Sequence, residues 1–298
     1  MIISYFLYYS NILTLFVKPI SILFNNRAIN YYKKKGEAQL VNKKAEFRKN
    51  IEEYIKNGIA DGTKLEKDWF PDVNADIFIS HSHSDADLAM ALAGWMHEKF
   101  KVTCFIDSCV WGYVDDLLEM INSEYSNKRD DKNGGYLYDH KKCNTASKHV
   151  NVMLCMALQK MIDKIETTIV INTENSISKY GDIYESATFS PWIYSEILCT
   201  AMVRNKSLSE YRKKDLVAKS FTESYYKVNN EYKAVYRISL DHLKHIDKEK
   251  LVTWWRNWEG IDKKTNRYAL DELYKLVFPQ EMSKIREFHQ KQSFVVLG

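Results

Sequence analysis

Residues 75–89 read ADIFISHSHSDADLA. The first six make a short, continuous apolar run, the pattern of a buried strand. Ser80, His81, Ser82 and His83 follow as a polar turn. Leu88, Ala91, Leu92, Trp95 and Met96 then recur at helical spacing. Ser84 is placed to cap that helix, and Asp85 and Asp87 in its first turn suit the positive end of the helix dipole. Strand, polar turn, helix is the unit from which α/β proteins are assembled.

The same unit recurs downstream. KVTCFID at 101–107 reads as a second strand, and DDLLEMI at 115–121 begins a helix. Residues 123–147 are polar and contain Gly134-Gly135, which predicts an inserted loop. Val152, Met153, Met156, Ala157 and Met161 place a helix over about 149–164. TTIVINT at 167–173 is a third strand. SPWIYSEILCTAMV at 190–203 is a helix with Ser190 at its cap and Pro191 at its first position. KAVYRISL at 233–240 reads as a fourth strand, and helices fill the end. Upstream, residues 37–58 read as a polar helix with a thin stripe of Ala45, Phe47, Ile51, Tyr54 and Ile55, stopped by Asn57-Gly58. Strands that are short apolar runs and alternate with helices predict a parallel sheet covered on both faces. Ligands of such sheets bind beyond the carboxyl ends of the strands. That rule singles out residues 81–85, 107–111 and 172–176.

Composition narrows the function classes. The chain has 298 residues, 45% apolar and 28% charged, with 10 Gly and 4 Pro, so long flexible linkers are not expected. A net charge of +4 is too small to point to nucleic acid as a partner. Its basic excess is concentrated in residues 1–50, where nine Lys/Arg face Glu37 and Glu46. Five cysteines, none in a CxxC, read as reduced thiols of a cytoplasmic protein. Residues 1–26 carry one charge, Lys18, after an uncharged run of 17 residues. That run is short for a membrane span, and Asn11 and Pro19 interrupt it. It lacks the pattern of a cleaved leader. It reads either as a hydrophobic N-terminal helix or as an anchor that would leave the following domain in the cytoplasm, with Lys33, Lys34 and Lys35 on the inner side.

His81, His83 and Asp85 invite a metal reading, since His-x-His-x-Asp opens the metal site of metallo-β-lactamase-like hydrolases. There a histidine follows the aspartate, and here Ala86 stands in its place. No second histidine cluster, HExxH or cysteine quartet completes a ligand set, so no metal is expected. Walker A, GxGxxG and GxSxG motifs are likewise missing from the sequence. Trp254, Trp255 and Trp258 could stack nucleobases, but their helical spacing favours a core.

Three blocks in order resemble a Toll/interleukin-1 receptor (TIR) domain. ADIFISHSHSD is similar to the family's opening strand and loop. FIDSCVWGYVDDLLEMI, from 105, resembles its second strand, the mobile loop after it and the next helix. IVINTENS at 169–176 with SPWIYSEI at 190–197 resembles its central strand and the helix start that carries Ser, Trp and Glu. The resemblance covers about residues 74–204 and extends towards 245. It implies a flavodoxin-like doubly wound parallel sheet with helical N- and C-terminal extensions. The corresponding division is a hydrophobic segment at 1–30, a helical extension at 31–73, the TIR domain at 74–245 with an insertion around 123–165, and a C-terminal helical extension at 246–298. The insertion and the polar segment 205–232 are longer than the family pattern.

The resemblance also implies an activity, cleavage of the nicotinamide–ribose bond of NAD+, with Glu196 as the catalytic carboxylate. NAD+ is then the substrate, and no cofactor is implied. Nicotinamide leaves as a neutral group from a cationic ring, so no general acid is needed. A carboxylate near the ribose stabilises the oxocarbenium-like transition state. A helix start would favour its ionised form. Ser80, His81, Asp107 and Ser108 are the expected hydrogen-bonding residues, Phe105 and Trp111 the expected stacking residues, and Ser190 and Trp192 complete the expected pocket. ADP-ribose or a cyclic ADP-ribose signal are the alternative products. The setting implied is bacterial anti-phage defence of the Thoeris type, with TIR–TIR homo-oligomers and a downstream effector protein as partners. A non-enzymatic TIR scaffold that signals by self-association is the competing reading, and a membrane-attached toxin is a third.

Overall fold

A computed structural model describes residues 13–17, 25–40, 54–56, 59–70, 73–106, 108–131, 134–180, 184–203, 235–261, 266–280 and 282. In chain order the strands are β1 (Leu13–Val17), β2 (Ile55–Lys56), β3 (Ile59–Ala60), β4 (Ile77–Ser80), β5 (Cys104–Ile106), β6 (Arg129–Asp130), β7 (Tyr136–Leu137), β8 (Thr167–Ile171), β9 (Ser178–Tyr180), β10 (Tyr184–Thr188), β11 (Tyr236–Arg237) and β12 (Lys244–Ile246). The helices are α1 (Asn26–Leu40), α2 (Gly62–Trp69), α3 (Ala86–Phe100), α4 (Ser108–Tyr125), α5 (His140–Lys164), α6 (Pro191–Met202), α7 (Lys248–Glu259) and α8 (Asn266–Val277).

Five strands form the central sheet in the order β12-β1-β8-β4-β5, and every neighbouring pair is parallel. All four residues of β4 and all five of β8 are buried, so both faces are covered. The α/β architecture with a parallel sheet follows the expectation from the sequence, and β4, β5 and β8 lie inside the three runs that predicted them.

The other two strands come from elsewhere. β1 belongs to the apolar N-terminal segment and lies between β12 and β8, with Leu13–Val17 in register with Thr167–Ile171. An interior strand of a parallel sheet is apolar on both faces, so in sequence it resembles a hydrophobic anchor or helix. Among the described residues no helix is long and apolar enough to cross a membrane. Residues 13–17, 77–171 and 244–246 contribute to one sheet, so the divisions expected at 30, 73 and 245 do not separate structural units. The strand expected at 233–240 is also corrected. Residues 233–234 lie outside the described residues, and among the described part of that run only Tyr236–Arg237 pairs, antiparallel to β10 in a three-stranded sheet of order β11-β10-β9. Arg237 and Ser239 are exposed and Ile238 is buried, the alternation of a one-sided antiparallel strand.

Two local expectations differ as well. Ile55–Lys56 and Ile59–Ala60 pair antiparallel where a helix was expected to end, and Asn-Gly between two strands is a strong hairpin signal. Residues 41–53 of that expected helix lie outside the described residues. In the insertion, β6 and β7 pair as a hairpin whose Gly134 and Gly135 have φ of 84° and 104°, values that suit glycine. The helix after it starts at His140 instead of 149, with Asp139 accepting from the Lys142 amide.

Helices α1 and α3 cross at very close range. A Cβ on Gly94 would fall 2.0 Å from the Tyr32 carbonyl oxygen, and one on Gly36 would fall 2.3 Å from that of Met90. Tyr31 donates to Glu98 at the same contact, and Lys33 pairs with Asp87. At the C-terminal end of α3, Phe100 stacks on Trp254 of α7 with ring centroids 3.8 Å apart, and Trp254 Nε1 donates to the Ala269 carbonyl of α8. Trp254 and Trp258 are therefore core residues, as their spacing suggested.

Gly94→Ala tests the crossing. Alanine gains about 1 kcal/mol in helix propensity. Its methyl would meet backbone, which no rotamer change relieves, and overpacking costs about 1–3 kcal/mol or more. The expected net outcome is a lower Tm by several degrees in thermal unfolding. An unchanged Tm would mean that the helices do not meet backbone to backbone.

Candidate functional site

Connections run in opposite directions from the β4–β8 pair. From β4 the chain passes through α3 to β5 on one side, whereas after β8 it reaches β12 at the opposite edge. Such a switch point leaves a crevice at the carboxyl ends of the strands, the standard ligand position in open α/β sheets.

Register decides which side chain meets which. Ser80 pairs with Val170, so the two project from the same face of the sheet. Val170 packs with Ile193 and Ile197 of α6. Glu196 shares that inner face of the helix, three residues after Ile193. Ser80 Oγ donates to Glu196 Oε2 at 2.7 Å, joining residues 116 apart in the chain. Ser80 is 0% and Glu196 2% exposed. A hydrogen bond to a charged acceptor is among the stronger ones, and burial raises what it is worth.

A second link joins the loops of the same two strands. Asp85 is buried and accepts from Thr173 Oγ1 and, at 2.9 Å, from Asn175 Nδ2. Ser176 Oγ turns back to the Ile171 carbonyl at 2.7 Å and closes the turn after β8. Sequence reasoning gave Asp85 to the start of the helix and passed over Thr173 and Asn175, although both lie in the strand-end segment 172–176. The chain makes a short 3-10 turn at His83–Asp85 before α3 begins at Ala86. Neither Ser84 nor Asp85 caps α3, and the Asp85 carboxylate is instead held by the β8 loop.

The expected site residues fall into three groups. Ser80 and Glu196 come together as a buried pair at the carboxyl end of β4, and His81, next in the chain, is buried as well. Ser190 caps α6, accepting from the Ile193 amide at 3.2 Å, with Pro191 at the first helical position as expected. Trp192 is half-buried against the main apolar core. Phe105 is corrected: it is buried and stacks on Phe78 at 5.5 Å, the in-register residue of β4, so its ring is a core contact and not a ligand platform. Asp107 and the side chains of Ser108 and Trp111 lie outside the described residues. The backbone there departs from expectation, since α4 begins already at Ser108 where a loop up to 114 was foreseen.

Glu196 also differs from expectation. It stands in the second turn of α6, whose first turn holds no acid. The helix dipole acts mainly within the first turn, so Ser80 and not the helix end is its positioning partner. The two histidines part company: His81 is buried and His83 exposed. Among the described residues no three His, Cys, Asp or Glu side chains converge as a metal-binding group.

Further along α6, Cys199 is buried and its thiol is pushed up to about 11, first by burial and then by neighbouring Cys155, Asp163 and Glu196. Thr200 donates to the Ile197 carbonyl and lies 2.9 Å from His242 Nε2, which fixes the end of α6 against the segment leading to β12. Burial holds His242 below its ordinary 6.5. Comparison with family models, curated proteins and solved structures returned no match.

Two outcomes follow from this geometry. Ser80→Ala removes a buried donor to a carboxylate and is expected to destabilise the fold by about 1.5–3 kcal/mol, read by denaturant unfolding. Because the folded His242 takes up its proton later than the unfolded one, its contribution to stability is present above 6.5 and is lost as pH falls through that value. The Tm of His242→Gln should therefore fall less than that of the unaltered protein between about pH 7.5 and 5.5.

Proposed function

We propose that the protein is a TIR-type NAD+ nucleosidase that cleaves the nicotinamide–ribose bond. The carrying observation is the buried Ser80–Glu196 pair at the β4–β8 switch point, formed by two of the three blocks that resemble the family. The strand order β5-β4-β8 is second-first-third along the proposed domain, the beginning of the flavodoxin-like order. The fourth and fifth places are filled by β1 and β12, so the proposed domain borrows one strand from the N-terminal segment.

In this reading Ser80 fixes the orientation of the Glu196 carboxylate. The carboxylate then faces the ribose and stabilises positive charge as the C1′–N bond breaks. A buried anion interacts strongly with such charge because little water screens it. Nicotinamide leaves with the bonding electron pair and becomes neutral. Water attack at C1′ gives ADP-ribose and a proton, whereas attack by an adenine nitrogen gives a cyclic product. Since Glu196 is 2% exposed, the reading requires the strand-end loops to open for substrate. Self-association, a downstream effector and a role in anti-phage defence belong to the same proposal.

The burial of Glu196 favours a second reading, a scaffold in which the pair only locks α6 to the sheet. One experiment separates the two. The purified chain is incubated with NAD+, with and without EDTA, and the products are resolved by chromatography and mass. The expected result is nicotinamide release that persists in EDTA and falls by at least about a hundredfold in Glu196→Gln. Release unaffected by that substitution, or none at any protein concentration, would remove the enzyme reading and leave the scaffold.

A further inference from the structure

After β8 the chain makes one tight turn before β9. The amides of Ser176 and Ile177 donate to the Thr173 carbonyl at 3.2 and 3.0 Å, and the Thr173 amide donates to Ser176 Oγ at 2.9 Å. Residues 173–176 are therefore bonded to one another as a small unit at the end of β8. Asp85 ties this unit to the β4 side, accepting from Thr173 Oγ1 and Asn175 Nδ2. Asp85 itself stands on a fixed base. Its amide donates to the Ser82 carbonyl at 2.7 Å, and α3, which begins at the next residue, is held by α1 at Gly94 and through the Lys33–Asp87 pair.

Strands β4 and β8 are neighbours and end at Ser80 and Ile171. The Asp85 contact bridges the loops that leave them, at the end of the pair where Ser80 holds Glu196. The closure is polar. Asn172, Thr173, Glu174 and Asn175 include no apolar side chain, and Glu174 and Asn175 are exposed, so lifting the turn gives up little hydrophobic burial. Both hydrogen bonds to Asp85 can be exchanged for bonds to water, and a carboxylate leaving a buried position regains its hydration. A segment with few apolar contacts and replaceable hydrogen bonds belongs to the low-stability end of a fold, from which segments that move for ligands are drawn. We propose that Asp85 is the latch of a gate: its bonds to Thr173 and Asn175 hold the β8 turn shut across Ser80 and Glu196, and their release admits the substrate. The gate is a different segment from the loop after β5 that the family resemblance treats as mobile. The inference rests on the NAD+ reading for the identity of what enters, and on the geometry alone for the closure.

Carboxylate labelling of the full chain tests the gate, with a water-soluble carbodiimide and glycine ethyl ester as reagents and mass spectrometry of the peptides as readout. In the unaltered protein Glu196 should react far more slowly than exposed Glu124. Thr173→Val and Asn175→Ala should each raise the Glu196 rate at least about tenfold. Thr173→Ser keeps the hydroxyl, and Glu174→Gln changes an exposed side chain of the same turn, so both should leave that rate unchanged. Cys199, buried on α6, reports unfolding of the whole chain and should stay protected from a maleimide in every variant. A Glu196 as reactive as Glu124 from the start, one indifferent to both opening substitutions, or one that reacts faster only when Cys199 does would overturn the proposal. In the two opening variants kcat/KM for nicotinamide release should rise with the labelling rate. Release that is present but unmoved would overturn the gate and leave the NAD+ reading standing. Faster labelling with no release at all would leave the gate standing and remove that reading.

Discussion

A parallel sheet must be covered on both faces, and this constraint organises the whole chain. Strands that pair in parallel need crossovers, the crossovers are helices, and the helices supply the cover. Here β4 and β8 are buried along their full length. The cover is drawn from distant parts of the sequence. Helix α1 reaches α3 through facing glycines, and α7 reaches the C-terminal end of α3 through the Phe100–Trp254 stack. N-terminal and C-terminal segments thereby become parts of a single layered body. The sheet itself repeats the pattern, with β1 and β12 completing an order begun by β5, β4 and β8.

The same constraint creates the candidate site. Crossovers that leave the β4–β8 pair in opposite directions open the end of the sheet at that pair. Two buried carboxylates span the opening. Glu196 descends from α6 to Ser80, and Asp85 reaches from the β4 loop to Thr173 and Asn175 of the β8 loop. Carboxylates are expensive to bury, so each is held by donors from another element. Their hydrogen bonds tie three segments of the chain to one end of the sheet.

Much of this was legible locally. The apolar runs at 75–80, 101–107 and 167–173 lie over real strands, and Ser190-Pro191 marks the start of α6, because continuous burial and cap chemistry leave direct traces in residue type. The misreadings have equally local causes. Residues 13–17 look alike in sequence whether they enter a bilayer or a sheet interior. Asn57-Gly58 stops a helix as readily as it joins a hairpin. The alternation at 235–240 spoke for an antiparallel strand, but the α/β rhythm of the chain outweighed it.

By itself, then, the sequence determined the class of fold and the strand ends at which to look for chemistry. These follow from periodicity and short-range chemistry, which act between near neighbours, whereas Ser80 and Glu196 were singled out by the resemblance to the TIR family. Only the tertiary structure decided that the first strand comes from the N-terminus, that Phe105 packs on Phe78, that Asp85 serves the β8 loop and not its own helix, and that Ser80 holds Glu196. Each of these depends on strand register or on close approach between residues far apart in the chain, and no local pattern of residue types specifies either.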